Sequence, residues 1–179
     1  MTNKKTIFLD CDGVVADWIA GAERLVGYRL SNPKQFYPEQ DWIKIKNHER
    51  MFLDLPLMPL ANQFANLARR FRDELDYELV FLTAVPNYND MPWAFYDKFL
   101  WAQQHFDDIP VHFGPHRDQK QNRSAPGNIL VDDHPDNCTQ WEAKGGTAVN
   151  VPVGNEIHGL QELQQLFDRK RSLRNLSQM

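Results

Sequence analysis

The sequence predicts an α/β protein with a doubly wound parallel sheet and a small helical cap inserted after the first strand. Three observations support this prediction. Short apolar runs, typical of strands covered on both faces, alternate with segments of helical periodicity. Two of these runs end in paired carboxylates. Residues 31–60 are rich in prolines and aromatic residues, which indicates short helices rather than further strands.

The first predicted strand begins at Thr6 and runs directly into Asp10, with Asp12 and Gly13 close behind. Asp10 therefore lies at the carboxyl end of the strand, where open α/β sheets bind ligands. Two carboxylates this close repel each other unless a cation or a proton intervenes. The motif favours a functional site, but it is also compatible with a simple turn before a helix. Its recurrence further along the chain decides for the functional site.

A helix is predicted over 19–28, with Asp17 near its start and Gly27 near its end. After the insertion, apolar spacing predicts a helix over 60–71. The predicted domains are a core over 1–16 and 74–179 and a cap over 17–73.

The second predicted strand, over 77–84, also carries a polar group at its carboxyl end, Thr83. A helix over 92–106, a short strand over 111–113 and a polar, cationic segment over 114–127 follow. The strand over 128–133 then repeats the opening pattern, because it ends in Asp132 and Asp133. The remaining predicted elements are a helix over 135–144, a strand over 147–151 and an amphipathic helix over 160–179.

Composition, net charge and the distribution of apolar residues limit the classes of function that the sequence supports. The chain has 179 residues, 42% hydrophobic residues and a formal net charge of -4, so a basic face for duplex nucleic acid is not expected. No apolar run approaches the roughly 20 residues that span a bilayer. The first apolar stretch is interrupted by acids and is not expected to be a secretory signal. Cys11 and Cys138 predict no disulfide, and a cytoplasmic monomer or homodimer is expected.

Four carboxylates, one hydroxyl and one lysine form a chemically coherent set at the predicted strand ends. Oxygen-only ligands select a hard divalent ion, and Mg²⁺ is the expected cofactor. A carboxylate can attack phosphorus to give an acyl phosphate, and a second acid can protonate the leaving oxygen. The expected partner is a small phosphorylated substrate.

The set resembles the haloacid dehalogenase (HAD) superfamily of phosphohydrolases. The resemblance covers nearly the whole chain and rests on four motifs in order: residues 10–14, Thr83, Lys120, and the Asp132–Asp133 pair. Within the superfamily the chain looks most like the 5'(3')-deoxyribonucleotidase branch, because of residues 12–18, the insertion and residues 129–137. This implies hydrolysis of (deoxy)nucleoside monophosphates. The alternatives are a phosphatase for a nucleic-acid end or a sugar phosphate, and a non-catalytic binding protein of the same fold.

The resemblance implies a role for each motif residue. Asp10 would be the nucleophile and a metal ligand, and Asp12 the acid/base, with its backbone carbonyl on the metal. Asp132 and Asp133 would complete the metal site. Substrate contacts would come from Trp18, which would face the base, and from Thr83, Ala84 and Lys120.

The chain departs from that branch at the second motif. Members usually have Thr-Ser-Pro followed soon by a lysine, where this chain has the sequence Thr83-Ala84-Val85-Pro86-Asn87. The motif therefore lacks the hydroxyl and the cation that the branch usually places near the phosphate. At the third motif Lys120 is flanked by Arg117 and Arg123, and it is preferred because this motif normally uses lysine.

Overall fold

The structure, a computed structural model, describes residues 4–29, 37–86, 91–114 and 116–177. The strands are β1 (Thr6–Leu9), β2 (Glu78–Thr83), β3 (Val111–Phe113), β4 (Ile129–Asp132) and β5 (Thr147–Asn150). They form one parallel sheet in the order β3-β2-β1-β4-β5. This confirms the predicted doubly wound α/β class. The strand order reverses between β1 and β4, which is the topological switch point of such a sheet.

Helices connect the strands. They are α1 (Trp18–Val26), α2 (Glu39–Lys46), α3 (Ala61–Leu75), α4 (Ala94–His105), α5 (Pro135–Ala143) and α6 (Glu156–Ser177). The start and stop predicted for the first helix are confirmed. Asp17 accepts a hydrogen bond from the backbone N–H of Ala20 at 2.9 Å, and Gly27 ends the helix with φ at +88°.

Both faces of the sheet are covered, which explains the buried apolar runs of β1, β2 and β4. On one face Phe8, Val80 and Leu130 pack against Trp141 of α5. The other face carries the larger core, which includes Phe64 and Phe71 of α3, Trp101 of α4 and Phe167 of α6.

Between β1 and β2 the described residues form α1, α2 and α3 and add no strand to the sheet. Residues 30–36 of the predicted insertion lie outside the described residues. Helix α3 contacts β1, β2 and α6, so it lies against the sheet. The division into a core and a cap over 17–73 stays a prediction.

Two segments differ from their sequence-based prediction. Helix α6 begins at Glu156, before the predicted residue 160. Gly159 disfavours a helix by propensity, but a Cβ at this position would lie 3.0 Å from the Asn150 carbonyl oxygen, so close packing accounts for the glycine. The cationic segment contains a 3₁₀ helix, Arg117–Arg123. Within the described ranges, no helix is long and apolar enough to traverse a bilayer.

Candidate active site

Three carboxylates meet at the switch point of the sheet. Asp10 follows β1, and Asp132 and Asp133 lie at the end of the neighbouring strand β4. One oxygen atom from each of the three lies within 4.8 Å of the others. Asp10 and Asp132 are buried and Asp133 is half-buried. The structure thus brings together three of the four acids predicted to bind metal.

Lys120 lies between two of these carboxylates. Its Nζ is 2.6 Å from Asp10 Oδ2 and 2.7 Å from Asp132 Oδ2, and the residue is 2% exposed. Burial lowers the pKa of Lys120, but the two carboxylates raise it by more, so the net shift is upward. The lysine therefore stays charged at neutral pH. Arg123, by contrast, is exposed.

Hydrogen bonds fix the orientation of the carboxylates. Asp10 Oδ1 accepts from the backbone N–H of Cys11 at 2.7 Å. Asp132 Oδ1 accepts from Asn137 Nδ2 at 2.9 Å, and Asn150 Nδ2 donates to the carbonyl oxygen of Asp132 at 3.2 Å. The two asparagines were missed by the sequence analysis. A usable signal was present, since Asn150 ends a strand that neighbours the acid-ended β4.

The three carboxylates fit a divalent metal ion. Burial raises the pKa of Asp133 to about 7, and the neighbouring Asp132 adds to the shift while Lys120 opposes it. Burial likewise raises the pKa of Asp10, with Lys120 again opposing. Three ionised carboxylates would carry more negative charge than the one lysine balances, and neighbouring acids add to the effect of burial on both pKa values. A hard cation with oxygen ligands, such as Mg²⁺, would supply the missing charge.

Mg²⁺ binding is expected to be linked to a proton. Because a ligating carboxylate must be ionised, Mg²⁺ displaces the proton that Asp133 holds below about pH 7. We expect the apparent Kd for Mg²⁺ to rise by about tenfold from pH 6.5 to pH 5.5. Titration calorimetry in two buffers of different ionisation enthalpy measures the protons released, about one per ion in this range.

The raised pKa of Asp133 also predicts how the stability of the metal-free protein depends on pH. Because the pKa of Asp133 is higher folded than unfolded, the native state binds the extra proton, so the free energy of unfolding in EDTA falls as pH rises from about 4 to 7. Asp133→Asn is the control and should reduce both the slope and the proton release, and the raised pKa of Asp10 accounts for what remains. An unchanged proton count in that variant would contradict the assignment.

Asp12 is the acid that the structure places apart from the other three. Its carboxylate forms an ion pair with Lys98 of α4, and Lys98 Nζ also donates to Thr83 Oγ1 at 3.0 Å. A cation does therefore lie beside Thr83, although the second motif itself supplies none. A lysine from the following helix lies there, while Asn87 falls outside the described residues.

Lys98 was missed because the sequence analysis followed strand ends rather than helix faces. The helical spacing of Ala94, Lys98, Trp101 and Ala102 places the lysine on the buried face of α4. Lys98 is 4% exposed, so the helix buries an ammonium group together with apolar side chains. Buried lysines are rare unless they are paired. A lysine at helical spacing among apolar residues therefore indicates a functional cation.

The predicted substrate contacts lie at two places. Thr83 is fully buried at the end of β2, and Ala84 follows it half-buried. Trp18 starts α1 and contacts Tyr37 and Trp42, with ring centroids 6.1 and 6.2 Å away. It therefore belongs to an aromatic cluster between α1 and α2, and its contact with a base stays a prediction.

Cys11 separates the two acids of the first motif but is not suited to act as a nucleophile. Cys11 and Cys138 are both free and buried. Burial raises the pKa of the Cys11 thiol to about 12, which keeps it protonated. The Cys11 thiol is therefore not expected to attack a substrate as a thiolate.

Gly13→Ala is expected to weaken Mg²⁺ binding by about 10- to 100-fold. Gly13 has φ at +78°, and a Cβ on it would overlap the carboxylate of Asp133. The added methyl group must therefore displace a predicted metal ligand. Titration with Mg²⁺, followed by calorimetry, measures the change.

Gly27→Ala is the matched control for this substitution. Gly27 has φ at +88°, and no neighbouring atom of the described residues lies within 4 Å of an added Cβ. Both substitutions are therefore expected to cost about 1–2 kcal/mol of backbone strain, but only Gly13→Ala disturbs a carboxylate. Equal Mg²⁺ affinity in the two variants would contradict the role of Asp133.

The fold and these carboxylates define an α/β protein with a cluster of three acids at its switch point. A phosphonoacetaldehyde hydrolase like protein from Oleispira antarctica shares the fold, with 13% identity, a TM-score of 0.50 and coverage of 97% of this chain and 85% of that chain. A "predicted HAD-like family hydrolase" from Porphyromonas gingivalis has 15% identity and a TM-score of 0.48, covering 91% of this chain and 97% of that chain. No protein-family profile and no curated protein matches the sequence.

Proposed function

We propose that this chain is a HAD-superfamily phosphohydrolase, a Mg²⁺-dependent phosphomonoesterase that acts through an aspartyl-phosphate intermediate. The observation that carries the proposal is the cluster of Asp10, Asp132 and Asp133 around Lys120 at the switch point. Phosphoryl transfer needs little beyond in-line positioning and neutralised phosphoryl oxygens. This cluster offers a carboxylate nucleophile, a fixed cation and a metal site together.

The proposed reaction has two steps. An Asp10 carboxylate oxygen attacks phosphorus, the ester P–O bond breaks, and the leaving oxygen takes a proton from Asp12. Water then attacks the aspartyl phosphate and gives its proton to Asp12, which releases phosphate and restores Asp10. Lys120 and the Thr83 hydroxyl hold the phosphoryl oxygens during both steps. Mg²⁺ bound by Asp10, Asp132 and Asp133 would neutralise charge on those oxygens.

The proposed substrates are (deoxy)nucleoside monophosphates, and this part rests on the resemblance of residues 12–18 and 129–137 to the deoxyribonucleotidase branch. The insertion over 17–73 is proposed to act as the cap above the site. Hydrogen bonds from Asp17 N–H to the Pro56 carbonyl oxygen at 2.8 Å and from Met58 N–H to the Val15 carbonyl oxygen at 2.9 Å tie the insertion to the loop that follows β1.

The test is phosphate release from ribonucleoside and deoxyribonucleoside monophosphates, sugar phosphates and 5'- or 3'-phosphorylated oligonucleotides, each with Mg²⁺ or EDTA. We expect Mg²⁺-dependent release that is fastest with nucleoside monophosphates. Faster release from oligonucleotide ends or sugar phosphates would contradict the proposed substrate class but support the proposed phosphatase chemistry. No release from any substrate, with Mg²⁺ still bound, would contradict an enzymatic function and favour a non-catalytic binding protein.

A further inference from the structure

Lys98 lies outside the four sequence motifs but contacts two residues of the proposed reaction. Its Nζ pairs with Asp12 Oδ2 and donates to Thr83 Oγ1 at 3.0 Å. The lysine side chain is 3% exposed and that of Asp12 is 32% exposed. Of the two, Asp12 is therefore the residue that reaches the surface, and Lys98 supports it from the protein interior.

The surroundings of Lys98 leave its ammonium group little access to a ligand. The Phe52 ring centroid lies 4.5 Å from Nζ, at the distance of a cation–π contact. Trp101, one turn further along α4, donates from Nε1 to the Leu55 carbonyl oxygen at 2.8 Å. The insertion and α4 thus enclose the lysine, which points to a role through its neighbours rather than through direct contact with substrate.

Each neighbour of Lys98 keeps one group that the lysine does not hold. Lys98 pairs with Asp12 Oδ2, while Asp12 Oδ1 is buried and has no hydrogen-bond partner among the described residues. A hydroxyl that accepts from an ammonium directs its own hydrogen elsewhere. The Thr83 hydroxyl donates to the Ala84 carbonyl oxygen at 3.4 Å, a long hydrogen bond that a phosphoryl oxygen would replace.

We propose that Lys98 is a positioning residue that fixes Asp12 for proton transfer to the leaving group and orients Thr83 toward the phosphoryl group. This inference rests on the proposed function. It assigns the lysine to the acid step rather than to metal binding, because Lys98 contacts Asp12 and not the cluster of three carboxylates.

The test compares two leaving groups in a Lys98→Met variant. A nucleoside monophosphate loses a poor alkoxide and needs a proton from Asp12, whereas p-nitrophenyl phosphate loses a stable phenolate and does not. Because kcat/KM covers the steps up to departure of the leaving group, it isolates the acid role. We expect kcat/KM to fall about 100-fold or more for the nucleotide and less than about tenfold for the phenyl ester.

A double-mutant cycle tests whether Lys98 acts through Asp12. For the nucleotide, Lys98→Met in an Asp12→Asn background should lower kcat/KM by less than about threefold. Lys98→Arg retains the charge and should restore part of the nucleotide activity. Lys44→Met is the matched control, because Lys44 Nζ pairs with Asp41 at 2.7 Å on the surface of α2. This control substitution should leave kcat/KM unchanged for both substrates.

Thermal unfolding tests the contact between Lys98 and Asp12 independently of catalysis. The Tm losses of Lys98→Met and Asp12→Asn should not add in the double variant. Equal losses on both substrates in an active protein, with additive effects in the cycle, would overturn this inference and leave the proposed function standing. A wild-type protein that releases no phosphate from any substrate would overturn both.

Discussion

Asp10→Asn is expected to lower kcat for phosphate release by at least about 10³-fold, because loss of a covalent nucleophile removes the chemical step itself. The amide keeps the size of the carboxylate and the oxygen that accepts from Cys11 N–H. The fold should therefore persist, as circular dichroism can show. Rapid acid quench should trap a phosphoenzyme in the wild type that is stable to acid and labile to alkali, as expected of an acyl phosphate, and that is absent from the variant.

Two comparisons make this result specific to the nucleophile. Asp133→Asn changes a predicted metal ligand and should be partly rescued by excess Mg²⁺, whereas Asp10→Asn should not be rescued. Metal-dependent release that survives in Asp10→Asn would mean that water attacks phosphorus directly. The cluster would then be a metal-hydrolase site rather than an aspartyl-phosphate site.

Lys120→Met is expected to lower the free energy of unfolding by about 3–5 kcal/mol, measured by urea unfolding in EDTA at pH 7.5. The methionine fills a similar volume but leaves Asp10 and Asp132 facing each other without their shared cation. Both carboxylates are buried, so solvent cannot replace the charge. Activity should fall together with stability, since the same ammonium group is proposed to hold a phosphoryl oxygen.

Two controls separate this effect from a general loss of charge. Lys144→Met changes an exposed lysine and should shift the free energy of unfolding by less than about 0.5 kcal/mol. Asp10→Asn combined with Lys120→Met removes one of the two facing charges and should recover part of the lost stability. A Lys120→Met protein as stable as the Lys144→Met control would contradict the buried triad.

The sequence alone determined the class of fold and the position of the acids. A strand that is apolar on both faces must be covered on both faces, so the runs before Asp10, Thr83 and Asp132 already indicated a sheet between helix layers. Parallel strands end at one edge, and two acid-ended strands must therefore bring their carboxylates to that edge. Capping by Asp17 and Gly27 was also predictable, because it depends only on local backbone geometry.

Only the tertiary structure decided which groups pair with one another. Lys98 and Thr83 lie 15 residues apart, and they meet because packing of α4 turns its buried face toward β2. Likewise, Asp12 pairs with Lys98 rather than joining the other three acids, although it is only two residues from Asp10. The physical reason is that local sequence patterns specify the path of the backbone, whereas the partner of a buried charge depends on the side chains that distant elements bring within a few ångströms.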